Sequence, residues 1–251
     1  MTVLHAVGAM IVRDLRLILR RPSRIAATLL TPTLIWAFFA AGFSGSLGET
    51  AQHQSAYTLS LAAGAALLVV TFASIFGALG LIRDRESGYL QAVLVGPTPR
   101  WAVIVARVAS GVVIAVGQAM TMLGAAMIFG EGVGPLDLAG ATAAILLTAI
   151  GLCGACTALA WHFRSIEGFH GIMAGVLLPA WLLSGSVFPP GESGVVLGVL
   201  MAVNPLTWCH ATIAGFLGAM PLSAVSVSLV VAFGVFGPVC AVTAARGDAK
   251  R

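Results

Sequence analysis

The chain has 251 residues, of which 59% are hydrophobic and 9% charged, with a formal net charge of +4 and a mean hydropathy of +1.02. A soluble domain carries roughly 25% charged residues, so this composition excludes a water-solvated globule and indicates an integral membrane protein, with no nucleic-acid partner expected. The single lysine, Lys250, stands next to the last residue, and a P-loop needs a lysine on the phosphates, so any ATP-driven work must be powered by another polypeptide.

The first 24 residues hold Arg13, Arg16, Arg20, Arg21 and Arg24 and lack an apolar core followed by a cleavage site, so no cleaved leader is expected. Leu4, Val7, Ile11, Leu15 and Ile18 recur at spacings of three and four and form one stripe of a helix. Arg13, Arg16 and Arg20 fall opposite, and Asp14 sits at the stripe's margin as its one imperfection. Such a helix is expected to lie in the headgroup layer. It serves as a lipid anchor and orientation signal, or flanks a docking surface for a cytoplasmic partner; the two roles are compatible.

Six apolar stretches follow, 25–47, 56–82, 102–129, 138–161, 169–187 and 222–245, each near the length of about 20 residues that crosses a bilayer as a helix. Strands of an outer-membrane barrel would alternate over segments of about ten residues instead. The expected fold is thus an all-α membrane protein with six transmembrane helices: an interfacial helix over 1–24, then a transmembrane domain over 25–251. Lys and Arg cluster before the first span, around 83–107, at Arg164 and after the last span, whereas the other side carries Glu49, Glu131, Asp137 and Glu192 alone. Basic residues mark the cytoplasmic side, which places both termini inside.

Between the second and third spans, Arg83, Asp84, Arg85 and Glu86 stand in a row. Tyr89, Leu90, Val93 and Leu94 share a helical face, and Gly96-Pro97-Thr98-Pro99 ends the segment, so a short amphipathic helix is expected over 84–95, charged at its start. Arg83 and Arg85 suit a positive-inside loop, but Asp84 and Glu86 add little to topology, which points to a contact.

Further along, Cys153 and Cys156 form a C-x-x-C inside an apolar run, where packing is the simpler reading than redox or metal chemistry. His162, Glu167 and His170 lack the spacing of a metal-binding helix, and Ser184 and Ser186 with His210 lack the local pattern of an intramembrane protease. No catalytic or metal-binding residue is therefore assigned. Arg107 is expected to snorkel to the interface. With no buried carboxylate or lysine expected, ion-coupled transport lacks its usual machinery. Val195–Val203 would reach only about 14 Å as a helix before Asn204-Pro205 interrupts it, so 188–218 is expected to be a re-entrant hairpin on the outer face. Small-residue pairs such as Gly77/Gly80, Gly111/Ala115 and Gly151/Ala155 suit close helix packing.

The stretch RESGYLQAVLVGPTPR resembles the cytoplasmic loop of ABC type-2 transporter permeases at Arg85, Glu86, Gly88, Leu90, Pro97 and Arg100. Tyr89 replaces the usual threonine, Gly96 a common serine and Arg107 a common lysine. LLSGSVFPPGESGVVLGVLMAVNPLTW is similar to the family's fifth-span ending at Leu183, Ser184, Gly185, Phe188, Pro189, Asn204, Pro205, Leu206 and Thr207. RRPSRIAATLLTPTLIW resembles the start of the first span. The resemblance implies that the 83–100 loop, including Gln91, is a coupling helix seated in a separate ATP-binding subunit. That subunit would bind ATP and Mg, and by the resemblance two copies of it would pair with a homodimer of this chain. It also implies an exporter in the cytoplasmic (inner) membrane with a hydrophobic, lipid-like or drug-like cargo. The alternative is an ATP-independent channel, facilitator or assembly factor.

Overall fold

A chain that must satisfy its backbone polar groups without water has helices or closed barrels to choose from. The computed structural model describes residues 3–20, 22–43, 51–96, 98–129, 133–163, 165–187 and 194–247, and every regular element among them is helical. In chain order these are α1 (Val3–Leu19), α2 (Pro22–Phe43), α3 (Ala51–Glu86), α4 (Tyr89–Val95), α5 (Arg100–Phe129), α6 (Pro135–His162) and α7 (Ile166–Trp181). A π-helical turn, Leu182–Ser186, continues α7; α8 (Val195–Val203), α9 (Pro205–Phe216) and α10 (Ala224–Gly247) complete the chain.

Five segments among the described residues are long and apolar enough to cross a membrane: Ser55–Glu86, Arg100–Gly124, Pro135–His162, Ile166–Ser186 and Ala224–Arg246. They correspond to the second through sixth predicted spans. The first predicted span, 25–47, is helical as α2 as far as Phe43, and 44–47 lie outside the described residues. At 22 residues, α2 is about 33 Å long. The α8–α9 pair, bent by 81° at Asn204, would pass as one further crossing by length and composition.

Helix α3 forms the centre, with 78% of its apolar window buried, against 18% for the segment through α7 and 22% for α10. Apolar residues on the outer helices, such as Val176, Val235 and Phe236, are correspondingly exposed, as lipid-facing surfaces require. The closest approach is between α6 and α10. A Cβ on Gly237 would run into the Gly151 backbone, and one on Gly154 into Gly237. Small residues bring two backbones together in this way. Gly77 and Gly111 face each other between α3 and α5, where a Cβ on Gly77 would find Gly111 Cα at 3.8 Å.

Two expectations need correction. Asp84, Arg85 and Glu86 do not begin the short helix predicted over 84–95; they complete α3, which runs on past its apolar stretch. Leaving the apolar layer does not stop a helix whose backbone bonds remain intact. Gly88 stops it, with φ +75°, a left-handed conformation that glycine adopts without a Cβ penalty. The second correction concerns α1. Val7, Ile11 and Ile18 are half-buried and Leu4 is exposed, while Asp14 is the buried residue of the helix. The supposed imperfection lies at the centre of the inward face.

Candidate functional site

The end of α3, the start of α5, the end of α6 and the helices α1 and α4 meet at one end of the bundle. Arg85 ties α3 to α6. Its two terminal nitrogens donate to the carbonyls of Phe163 (2.8 Å) and Trp161 (2.9 Å), and its guanidinium lies 5.3 Å from the Trp161 ring. The last carbonyls of a helix have no intrahelical donor and carry partial negative charge, so an arginine from a neighbouring helix is a fitting cap.

After the Gly88 turn, α4 lays Leu90 into the core and half-buries Tyr89, Val93 and Leu94. Gln91 faces outward. Between α3, α4, the first residue of α5 and the end of α6 lies an open cleft of about 630 Å³. Arg85, Glu86, Leu90, Gln91, Leu94 and Arg100 line it on one side, with Trp161 and His162 opposite. The cleft combines both charge signs with an apolar floor. Pro97 lies outside the described residues.

On the other flank of α3, four ionised side chains close a ring. Arg13 of α1 grips Asp84 of α3 through two nitrogens (2.9 and 3.2 Å) and contacts its neighbour Asp14 at 3.1 Å. Arg107 of α5 contacts Asp14 at 3.0 Å and also pairs with Asp84. Ser110 donates to Asp14 at 3.3 Å. The Arg13 guanidinium also lies 3.6 Å from the centre of the Tyr89 ring, a cation–π contact that joins α1 to α4. Helices α1 and α5 are thereby held to Asp84, four residues before the Gly88 turn.

Burial makes this ring consequential. Asp14 and Arg107 side chains are 5% and 11% exposed, and a charge left alone in such a place costs far more than one in water. Burial pushes the Asp14 carboxyl above the ordinary carboxylate range, with Arg107 and Arg13 pulling the other way. The Asp84 hydrogen bond, the largest influence, raises Arg13 further. The expectation of no buried carboxylate therefore fails at Asp14, and Arg107 is paired inside the protein instead of snorkelling away. Arg16 and Arg20 are exposed on α1.

At the other end, the α8–α9 corner is fastened to the π turn. Asn204 donates to the Ala180 carbonyl (2.6 Å) and accepts from the Leu206 amide (3.1 Å), while Thr207 donates to Leu183 (3.2 Å). Pro205 opens α9, where its missing N–H costs nothing. Phe188 and Pro189 lie outside the described residues. Ser184 bonds Ser186 and the Trp181 carbonyl, whereas His210 engages Ser60, so these polar groups have structural partners. Among the described residues no three His, Cys, Asp or Glu side chains assemble as a metal site, and the cysteines are free thiols.

Sequence reading missed the ring. Its one signal was an acidic residue on the inward line of an otherwise apolar stripe.

The family model for ABC-2 type transporters matches residues 5–217. No curated protein sequence matches the chain.

Proposed function

Because the chain belongs to the ABC-2 type transporter family, we propose that it is the permease subunit of an ATP-binding-cassette exporter, working with a separate subunit that binds ATP and Mg. Two copies of the chain would pair with two copies of that ATPase in the inner membrane. The observation that carries this reading is the mixed-charge cleft beside α4, which the end of α3, the first residue of α5 and the end of α6 line together. A partner seated there touches α4 and, through Arg85, the end of α6.

The mechanism follows from that convergence. The ATPase closes on ATP, displaces α4 about Gly88, and the displacement reaches the long rigid α3 and the head of α5. A ligand shifts a conformational equilibrium only by its differential affinity for the two states, so the partner must grip α4 differently before and after closure. The distribution of Lys and Arg supports placing this cleft and both ends of the given chain on the cytoplasmic side. In that orientation α1 lies along the cytoplasmic headgroup layer, and residues 188–218 form a re-entrant hairpin at the outer face. A hydrophobic, lipid-like or drug-like cargo suits the apolar groove of about 360 Å³ between α5, α6 and α10, walled by Val105, Val113, Ile150 and Pro238 among others.

The test uses Glu86→Ala and Gly88→Pro in the full chain. Proline requires φ near −65° and cannot occupy the hinge conformation. Both variants are expected to insert and remain folded while losing co-purification with the ATPase and ATP-dependent transport. Transport that persists in ATP-depleted vesicles on an ion gradient would overturn the reading.

A further inference from the structure

The charges around the end of α3 do not cancel completely. Arg13 and Arg107 are neutralised by Asp14 and Asp84, and Arg85 is held by carbonyls of α6. Arg83 is exposed and has no ion-pair partner among the described residues. Glu86, the nearest acidic residue in sequence that is outside the ring, lines the cleft on the opposite flank.

Beside Arg83 opens a cavity of about 200 Å³ between α1, α3 and α5. Leu17 and Ile18 of α1 and Phe76, Gly77 and Gly80 of α3 line one part of it, and Arg83, Ser87 and the ring residues Asp14, Asp84 and Arg107 line the rest. A narrow apolar crevice shares Ile18, Phe76 and Gly77 with this cavity and extends past Ile25 and Ile114. Gly77 stands six residues from Arg83, about 9 Å along the helix axis, which reaches from the membrane interface into hydrocarbon. Packing does not demand a glycine there, because a Cβ would meet Gly111 Cα at an ordinary 3.8 Å. The missing side chain leaves the slot open.

The slot is apolar at its inner part and charged at its outer part, where Asp14 and Asp84 are already matched by Arg13 and Arg107 and Arg83 is the cation left over; that is the polarity of an anionic lipid. We infer that the α1–α3–α5 crevice binds an anionic phospholipid, with the phosphate on Arg83 and an acyl chain between Ile18 and Phe76. The occupant touches all three helices of the charged ring, so the site joins lipid composition to the part of the protein that carries the coupling charges. This inference rests on the membrane placement of α3 and not on the ATPase partnership.

The test titrates the delipidated full chain in detergent with phosphatidylglycerol, phosphatidylcholine and glycerol 3-phosphate, reading bound molecules by native mass spectrometry and Tm. One phosphatidylglycerol per chain is expected, preferred over phosphatidylcholine by about fivefold, the preference one basic residue gives at an anionic surface. Glycerol 3-phosphate should not bind at the same concentration. Arg83→Gln should abolish the preference, and Gly77→Leu should expel both lipids by filling the slot. Ile18→Trp narrows the slot from α1 and should act in the same way should Gly77→Leu fail to fold. Equal retention of both lipids by the native chain overturns the inference, as does a preference that survives both Arg83→Gln and Ile18→Trp. Glycerol 3-phosphate binding as tightly as lipid would make this a phosphate site and remove the acyl chain from it. ATPase co-purification is measured in parallel, so its loss tests the permease reading separately.

Discussion

The α6–α10 seam and the α1–α3–α5 joint hold helices together by opposite means. In the seam, Gly151, Gly154 and Gly237 bring two backbones into contact. In the joint, Arg13, Asp14, Asp84 and Arg107 face one another across three helices. Dispersion between close-packed backbones rises from many small contacts and tolerates no added atom. A ring of four ions depends on each member, and it admits a second arrangement wherever partners are exchanged as pairs. The seam is suited to stay fixed while the joint, next to the Gly88 hinge, is suited to move.

Removing one member of the joint should give the largest effect. Arg107→Met leaves Asp14 and Asp84 to share Arg13 alone, and loss of one partner of a buried pair costs about 3–5 kcal/mol. Thermal unfolding in detergent should show it. Asp14→Asn should cost clearly less, because burial already disfavours that charge and Arg107 keeps Asp84. Equal losses in the two variants would contradict the ring as described.

The seam comes next. Gly237→Val forces a side chain into the Gly151 backbone, and overpacking of this kind costs about 1–3 kcal/mol. The sharper outcome concerns function. At matched folded fraction, Gly237→Val should retain ATPase association, whereas Glu86→Ala should lose it with no change in Tm. At the hinge, Gly88→Ala has open space around its Cβ but keeps φ +75°, so strain alone applies, about 1–2 kcal/mol. A substitution there that stabilises the protein would show that α4 does not need this turn.

How much of this was legible in the sequence depended on range. Long apolar runs announce their own helices, so the spans now seen as α3, α5, α6, α7 and α10 could be read directly. The break at Asn204-Pro205 was equally local, since proline removes a donor at that point. The end of α3 was misplaced because charge marks where a chain leaves the membrane, not where a helix stops. Arg13 pairs with Asp84, 71 positions away, and Asp14 with Arg107, 93 positions away, and no local periodicity encodes such a partner. The π turn at Leu182–Ser186 left no mark in apolar patterning either, although the carbonyls around it are what hold Asn204 and Thr207.

In the proposed reading, the Gly88 turn and the charged joint serve a protein that acts on α4. The most direct measurement is therefore the intact mass of the complex recovered by affinity purification in mild detergent. Two copies of this chain with two copies of a P-loop protein is the predicted result. Recovery of the chain with no ATPase, even after cross-linking, would contradict the account.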